Sequence, residues 1–316
     1  MKEKQHLLAG LVALVLLVPS LASAQAWVPP KGEGSFALTV QSLDAGNHLL
    51  PSSVFAGVDF GSKTVDLGKM EGRVLVLDGD FGLTGKLAVS ASVAHVASRF
   101  TDGGRNRDLP AVHLDLPIDD GNWHSSLQDA RIALRYMQPK GAWVFTPSAA
   151  IVFPLRDYVT LGHANIGRGL NELQLGIDVG RILPNSNRPR AYVQGAYRYA
   201  FIEKLGDTSL EQGNLLLELG YLAHPRLTVR GFGDWRTSHH DSGANAFHLH
   251  DQLLAVEWLR LGVGLSIPLA EGFDFFASVA KTIEGENTHD GTTFSIGTTW
   301  GFHAPGSGRG KIRFPG

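Results

Sequence analysis

Cysteine is absent from the 316 residues, which removes disulfide cross-links and thiolate metal sites and suits an exported chain. A surplus of one charge is missing too. The 28 Lys and Arg stand against 30 Asp and Glu, a formal net charge of -2, so the electrostatic footprint of a nucleic-acid binder is not there. Beyond Ala24 no long, uniformly apolar run occurs, and this excludes a helical membrane protein, whose spans need roughly 20 such residues. A membrane β-barrel is not excluded, because its lipid-facing residues alternate with lumen-facing ones. Phosphate-binding motifs of the G-x-G-x-x-G or P-loop type are absent, and no cofactor is expected.

The first 24 residues are unlike the rest. Lys2 and Lys4 precede an apolar run from Leu7 to Val18, followed by Pro19 and Ala22-Ser23-Ala24. This order predicts a secretory signal peptide over 1–24, with cleavage after Ala26 as the alternative. The run is too short to span a bilayer as a helix. What remains is about 290 residues, large for one soluble core but comfortable for one barrel.

Near the other end, Gly291 to Phe302 reads GTTFSIGTTWGF. Because strand side chains alternate, Phe294, Ile296, Thr298, Trp300 and Phe302 share one face, and Ser295, Gly297, Thr299 and Gly301 the other. Two readings fit a strand that is apolar on one side and small and polar on the other: an edge strand of a soluble sandwich, or the closing strand of an outer-membrane barrel. In the second, Trp300 and Phe302 lie where an interfacial girdle belongs. Ser295, Gly297, Trp300 and Phe302 also resemble, in order and spacing, the terminal signal that the bacterial barrel-assembly machinery reads. The resemblance is incomplete, since a tail from His303 to Gly316 follows.

The same period recurs along the chain. It predicts strands over Ser35–Ser42, Arg73–Gly82, Lys86–Phe100, Ser126–Met137, Trp143–Phe153, Glu172–Leu183, Ala191–Glu203, Asn214–Leu222, Arg226–Arg236, Leu253–Leu269 and Phe273–Thr282. With the closing strand these make about twelve. Pro147 lacks a ladder donor and weakens its strand or marks a bulge. The connectors alternate. Those after strands two, four, six, eight and ten are short; those after one, three, five, seven, nine and eleven are mostly long, among them Lys204–Gly213 and Ile283–Asp290. Short periplasmic turns and long external loops define the barrel topology, and a soluble sandwich has no reason to alternate this way. The expectation is therefore all-β: a transmembrane antiparallel up-and-down barrel over 35–302 in the bacterial outer membrane, contacting the lipid bilayer. A leader or short plug would occupy 25–34, and a flexible tail 303–316.

Within that frame, Asp78, Asp80, Asp178, Glu218, Asp234 and Asp274 share the inward face with Arg131, Arg135, Arg198, Arg230, Arg236 and Arg260. Unpaired charges in a narrow interior are costly, so these should pair across neighbouring strands. Such pairs would rigidify the interior, form a selectivity constriction, or do both. Other candidates carry less. Ser238-His239-His240-Asp241, with His248, His250 and Asp251, has metal-ligand types at loose spacing. His95, Ser98, His124, Ser125 and Asp129 have the types a barrel hydrolase would use, without a distinctive motif.

The run Ala26-Trp27-Val28-Pro29-Pro30-Lys31-Gly32-Glu33-Gly34-Ser35, the Asp78-Gly79-Asp80 of strand two and the closing Thr299-Trp300-Gly301-Phe302 resemble the outer-membrane family named for the MetA pathway of phenol degradation. The likeness is one of layout over most of the mature chain, with a shortened glycine-rich stretch at Asp120–His124. It implies a transporter or channel for small hydrophobic or aromatic compounds, distantly similar to the long-chain fatty-acid transporter, without catalytic residues. A structural or surface-interaction barrel with a closed, charge-filled lumen is the alternative, and an outer-membrane hydrolase the third reading.

Overall fold

The computed structural model describes residues 26–101 apart from 51, 53, 56, 57, 60 and 67; 117–240 apart from 161, 186, 187, 206 and 207; and 256–303. The signal-peptide stretch, the tail beyond His303 and the loop carrying Asp241, His248, His250 and Asp251 lie outside the described residues. Among the described residues there is no helix. Twelve strands form the wall: β1 (Glu33–Leu49), β2 (Lys69–Gly82), β3 (Leu87–Thr101), β4 (His124–Leu127 continued by Ala130–Tyr136), β5 (Trp143–Phe153), β6 (Glu172–Asn185), β7 (Arg188–Leu205), β8 (Thr208–His224), β9 (Leu227–His240), β10 (Glu257–Ala270), β11 (Phe273–Glu286) and β12 (Thr288–His303). Each pairs antiparallel with the next, and β12 returns to β1 from Glu33↔His303 to Leu49↔Thr288. The sheet is closed and has no free edge, which is one of the two ways a chain satisfies its backbone in lipid.

The outward face is apolar. Leu217, Leu219, Val263 and Phe294 are 54, 56, 59 and 57 % exposed, in contiguous bands of a kind that lipid, not water, accommodates. Toward the end of the short turns, Tyr136, Trp143, Tyr221 and Trp300 also face outward, as an interfacial girdle would.

Two expected long connectors are not connectors. The link after β7 is residues 206–207 and the link after β11 is Asn287 alone, which takes a left-handed φ of 50°. Lys204 and Ile283–Glu286 therefore belong to strands, as do Thr208–Gly213 and Thr288–Asp290. Glu203, Lys204, Glu211, Glu284 and Asp290 continue the ladder above the apolar band, where the outward residue no longer needs to be apolar, so the hydrophobic period stops before the strand does. Short links at both ends join β6–β7–β8 and β10–β11–β12, while long connectors follow β1, β3, β5 and β9. Pro147 lies inside β5, where the ladder to β4 breaks. Ser148–Phe153 pair with Ala130–Arg135, whereas Trp143–Phe145 pair with the short stretch Gln138–Lys140.

Inside, rings and glycines face each other across strands. Tyr192 lies opposite Gly220, Phe232 opposite Gly262, and Phe276 opposite Gly297. A Cβ added to each glycine would come within 2.1, 2.1 and 2.5 Å of the facing ring. The tip of each ring thus occupies the space over a position that has no side chain, which narrows the bore without overfilling it. Gly231 is the contrasting case: it faces lipid, and an added Cβ meets nothing within 4 Å. Gly262→Val should destabilise the barrel by about 1–3 kcal/mol, as overpacking does, while Gly231→Val should be near neutral. Urea unfolding of the two variants in detergent micelles tests this, and equal effects would remove the packing role of the glycine.

Candidate functional site

The bore has three levels between its two ends. At the level of the short turns, the segment before β1 folds back into the barrel. Gly32, at φ 77°, reverses the chain; its N–H donates to Gly82 O at 2.8 Å, and Glu33 N–H donates to Pro30 O at 3.0 Å. Gly82 has no side chain because the carbonyl oxygens of Pro30 and Pro29 occupy that space, 2.2 and 2.4 Å from an added Cβ. From there the leader crosses to the far wall. Arg135 donates to Trp27 O at 3.2 Å, Thr146 Oγ1 donates to Ala26 O at 2.5 Å, and Ala26 N–H reaches Gln194 Oε1 at 3.4 Å. Trp27 meets Tyr192 edge-on at 6.5 Å, and Ala26 and Trp27 sit over Gly180. Ala26 is fully buried and Val28 nearly so.

Above the leader lies a charged waist around a cavity of about 280 Å3. Arg198 pairs with Asp178 at 3.0 Å and Arg230 with Glu218 at 3.1 Å, both across neighbouring strands as expected. Glu218 also accepts from Tyr192 and Gln194. The third pair departs from the expectation. Arg135 on β4 meets Asp80 on β2 at 2.6 Å, bridging β3, whose inward residues there are Ala88 and Ser90. Small side chains on the strand between let the two long-range partners touch. Asp78 lines the same cavity. Asp274 lies opposite Thr299, near the leader's end of the bore, and has no ion pair among the described residues.

The outer level is a larger chamber of about 640 Å3, which shares Asp78, Ser92, Arg131 and Gln174 with the waist. Its walls differ. On one side are Leu43, Met70, Val74, Val76 and Ile166; on the other are Arg236, Trp258 and Arg260. Arg236 and Arg260 do not pair with a carboxylate, as had been expected. Their guanidinium carbons lie 3.9 and 3.8 Å from the Trp258 ring centroid, close enough for cation–π attraction. Asp234 instead accepts from Trp258 Nε1 at 3.0 Å and from Asn214 at 2.7 Å. Arg131 donates to the neutral amide of Gln174 at 2.9 Å.

The roof of the chamber comes from two external connectors folded inward. Asp119 pairs with His163 Nδ1 at 2.7 Å and accepts the backbone N–H of His163 and Ala164 at 3.0 and 2.9 Å. His163 stacks on Phe100 at 4.3 Å and meets His48 at 4.8 Å; His48 meets His289 at 4.2 Å. Farther along, Tyr158 OH donates to Asp129 at 2.5 Å and accepts from Gly169 N–H at 2.8 Å. Burial first, and then the bond to Asp129, push the Tyr158 hydroxyl pKa up. Ile118, His163, Ala164, Asn165 and Ile166 are all buried.

The remaining candidates do not assemble into a catalytic group. Ser98 is buried on the inner side of β3, while His95 is exposed on the outer side. His124 pairs with Asp120 at 2.8 Å, and bonds from Asn122 and then His124 hold the Asp120 carboxyl well below the usual carboxylate range. Asp129 is engaged by Tyr158, and Ser125 is exposed. His95 and Ser98 thus lie on opposite faces of β3, and the acids beside His124 and Tyr158 are Asp120 and Asp129 without a serine in the bond. Of the loop candidates for metal, His239 is exposed beside Glu211, and no group of three potential ligands occurs among the described residues.

Sequence reasoning missed His48, Asp119, Tyr158, His163, Trp258 and His289. Trp258 had a signal, since it alternates in phase with Arg260; His48 and His289 face each other where β1 and β12 run on past the apolar band, and Asp119, Tyr158 and His163 lie in long connectors that no period describes.

No family model matches the sequence, and no curated protein matches it. Among solved structures, the chain is similar to the COG4313 outer membrane channel from Pseudomonas putida F1, with a TM-score of 0.63 at 11% identity over 90% of this chain and 100% of that one. It also matches the β domain of the Bordetella autotransporter BrkA, with a TM-score of 0.49 at 12% identity over 86% and 100% of the two chains. The NanC porin matches with a TM-score of 0.48 at 8% identity over 83% and 98%. At such identities the likeness to the Pseudomonas channel is one of fold, and the fold of this chain is that of a twelve-stranded outer-membrane β-barrel.

Proposed function

We propose that the protein is a passive outer-membrane channel for small hydrophobic or aromatic molecules, narrowed at its periplasmic end by the leader. One observation carries the reading: inside a closed barrel, the outer chamber and the charged waist share lining residues, so a solute entering from outside has a continuous surface, partly apolar above and charged below, to follow down to the leader. The shared fold with an outer membrane channel supports the reading. The chemistry of the chamber wall, with valines and a tryptophan, favours solutes with an apolar body. The charges of the waist are the selectivity element in this reading.

A closed, structural barrel is the second reading, favoured by the leader and the three ion pairs that occupy the lower bore. Uptake of a panel of aromatics, fatty acids and sugars by a deletion strain and by wild type separates the two. The channel reading expects slower uptake of aromatics in the deletion strain, restored by the gene. No difference for any solute, together with no conductance in planar bilayers, would establish the closed barrel.

A further inference from the structure

Building on the channel reading, we propose that the outer chamber selects amphipathic organic anions, with a carboxylate docking at Arg236 and Arg260 and an apolar body lying against Val74, Val76 and Ile166.

The two levels of the bore treat their arginines differently. In the waist, Arg135, Arg198 and Arg230 each hold a carboxylate at 2.6–3.1 Å. In the chamber, Arg236 and Arg260 rest on the face of Trp258, and neither has a carboxylate within 4.0 Å among the described residues. The Arg236 Nε is buried without a hydrogen-bond partner. The nearest acid, Asp234, is already engaged by Trp258 Nε1 and Asn214. A ring face attracts a guanidinium but leaves its N–H edge unsatisfied. Two such edges lining one cavity form a fork for a carboxylate.

The other half of the ligand is written on the opposite side of the ring. Val74 and Val76 pack with Ala94, Val96 and Ile166, and this surface forms the β2–β3 wall of the chamber while the arginines come from β9 and β10. A volume of about 640 Å3 falls in the range of small-molecule pockets. A purely apolar solute would leave the guanidinium edges desolvated and unpaired, and a purely charged one would leave the valine wall uncovered. An anion with an aromatic or short alkyl body satisfies both.

Phenylacetate, its neutral isostere phenylacetamide, and acetate separate the contributions. Isothermal titration of the full detergent-solubilised barrel should show phenylacetate binding at least about tenfold more tightly than either of the others, as expected for a charge-assisted bond gained together with apolar contact. The double variant Arg236→Gln with Arg260→Gln should lose that discrimination and keep the weak affinity for phenylacetamide, with heat-modifiable migration confirming the fold. Arg260→Lys, which keeps the charge, should retain a preference for the anion and serves if the double variant does not assemble. Influx into proteoliposomes should follow the same order. Equal affinity for phenylacetate and phenylacetamide, or a preference that survives in the double variant, would overturn the anion site while leaving the channel reading intact. Influx of none of the three, without conductance, would count against the channel itself.

Discussion

Phe302→Ala should lower the amount of heat-modifiable barrel in outer-membrane fractions, and Trp300→Ala combined with it should remove most of what remains. Phe302 stacks on Phe36 at 4.8 Å and lies 6.2 Å from Phe81 in near-parallel planes. Its ring covers Gly34, where an added Cβ would come within 2.5 Å of it. One side chain of β12 therefore touches β1 and faces β2, on the lipid side of the seam that closes the ring. Trp300 stacks on Phe273 of β11 at 5.5 Å, extending the contact to a fourth strand. Burial against lipid contributes roughly 1.5–3 kcal/mol for each large side chain, and any role of Ser295, Gly297, Trp300 and Phe302 as an assembly signal would add to it. Ser295 and Gly297 face the bore, where Ser295 is buried and Gly297 lies under Phe276. His303 is the last residue of β12, so the informative truncation removes 304–316, and it should change assembly far less. If that truncation abolished assembly while the aromatic variants inserted normally, the closing seam would not be the element recognised.

The second large effect concerns the bore. Deleting residues 26–31 should raise single-channel conductance several-fold while leaving a heat-modifiable barrel, because the wall strands pair with one another and not with the leader. The leader is held at three points of the far wall, Arg135, Thr146 and Gln194, and at Gly82 where it turns. A subtler variant makes the same point without shortening the chain. In Gly180→Leu the new side chain would enter the space of Ala26 and Trp27, which lie 2.5 and 2.9 Å from an added Cβ, and should displace the leader. Arg135 keeps Asp80 as its partner in both variants, so the waist should survive. Unchanged conductance in both would mean that the bore is closed above the leader, at the waist or beneath the roof.

Much of the wall was legible, and the reason is local. Along β6 every outward residue from Leu173 to Val179 is apolar, because lipid imposes that requirement at each position. Where lipid ends, the requirement ends, and Lys204 and Glu284 were read as loop although they belong to strands. The charge set was legible as an inward face but not as a set of contacts. The Arg135–Asp80 pair depends on how little room Ala88 and Ser90 take up on the strand between, and Trp258 displaced the expected partner of two arginines. The roof was not legible at all, since His163 reaches Asp119 and Phe100 through connectors that carry no period.

The anchoring of the leader also sets an order in time. Its attachment begins beside β1 and turns at Gly82 of β2, but the contacts of Ala26 and Trp27 are to β4, β5, β6 and β7, so that Ala26 and Gln194 stand 168 positions apart. None of those partners exists until the middle of the chain has paired, and loop closure over such a separation is not rewarded until they do. The strands from β4 to β7 must therefore be paired before the leader can narrow the bore. A segment that is made before every strand of the wall is thus seated only after strands made well after it have paired.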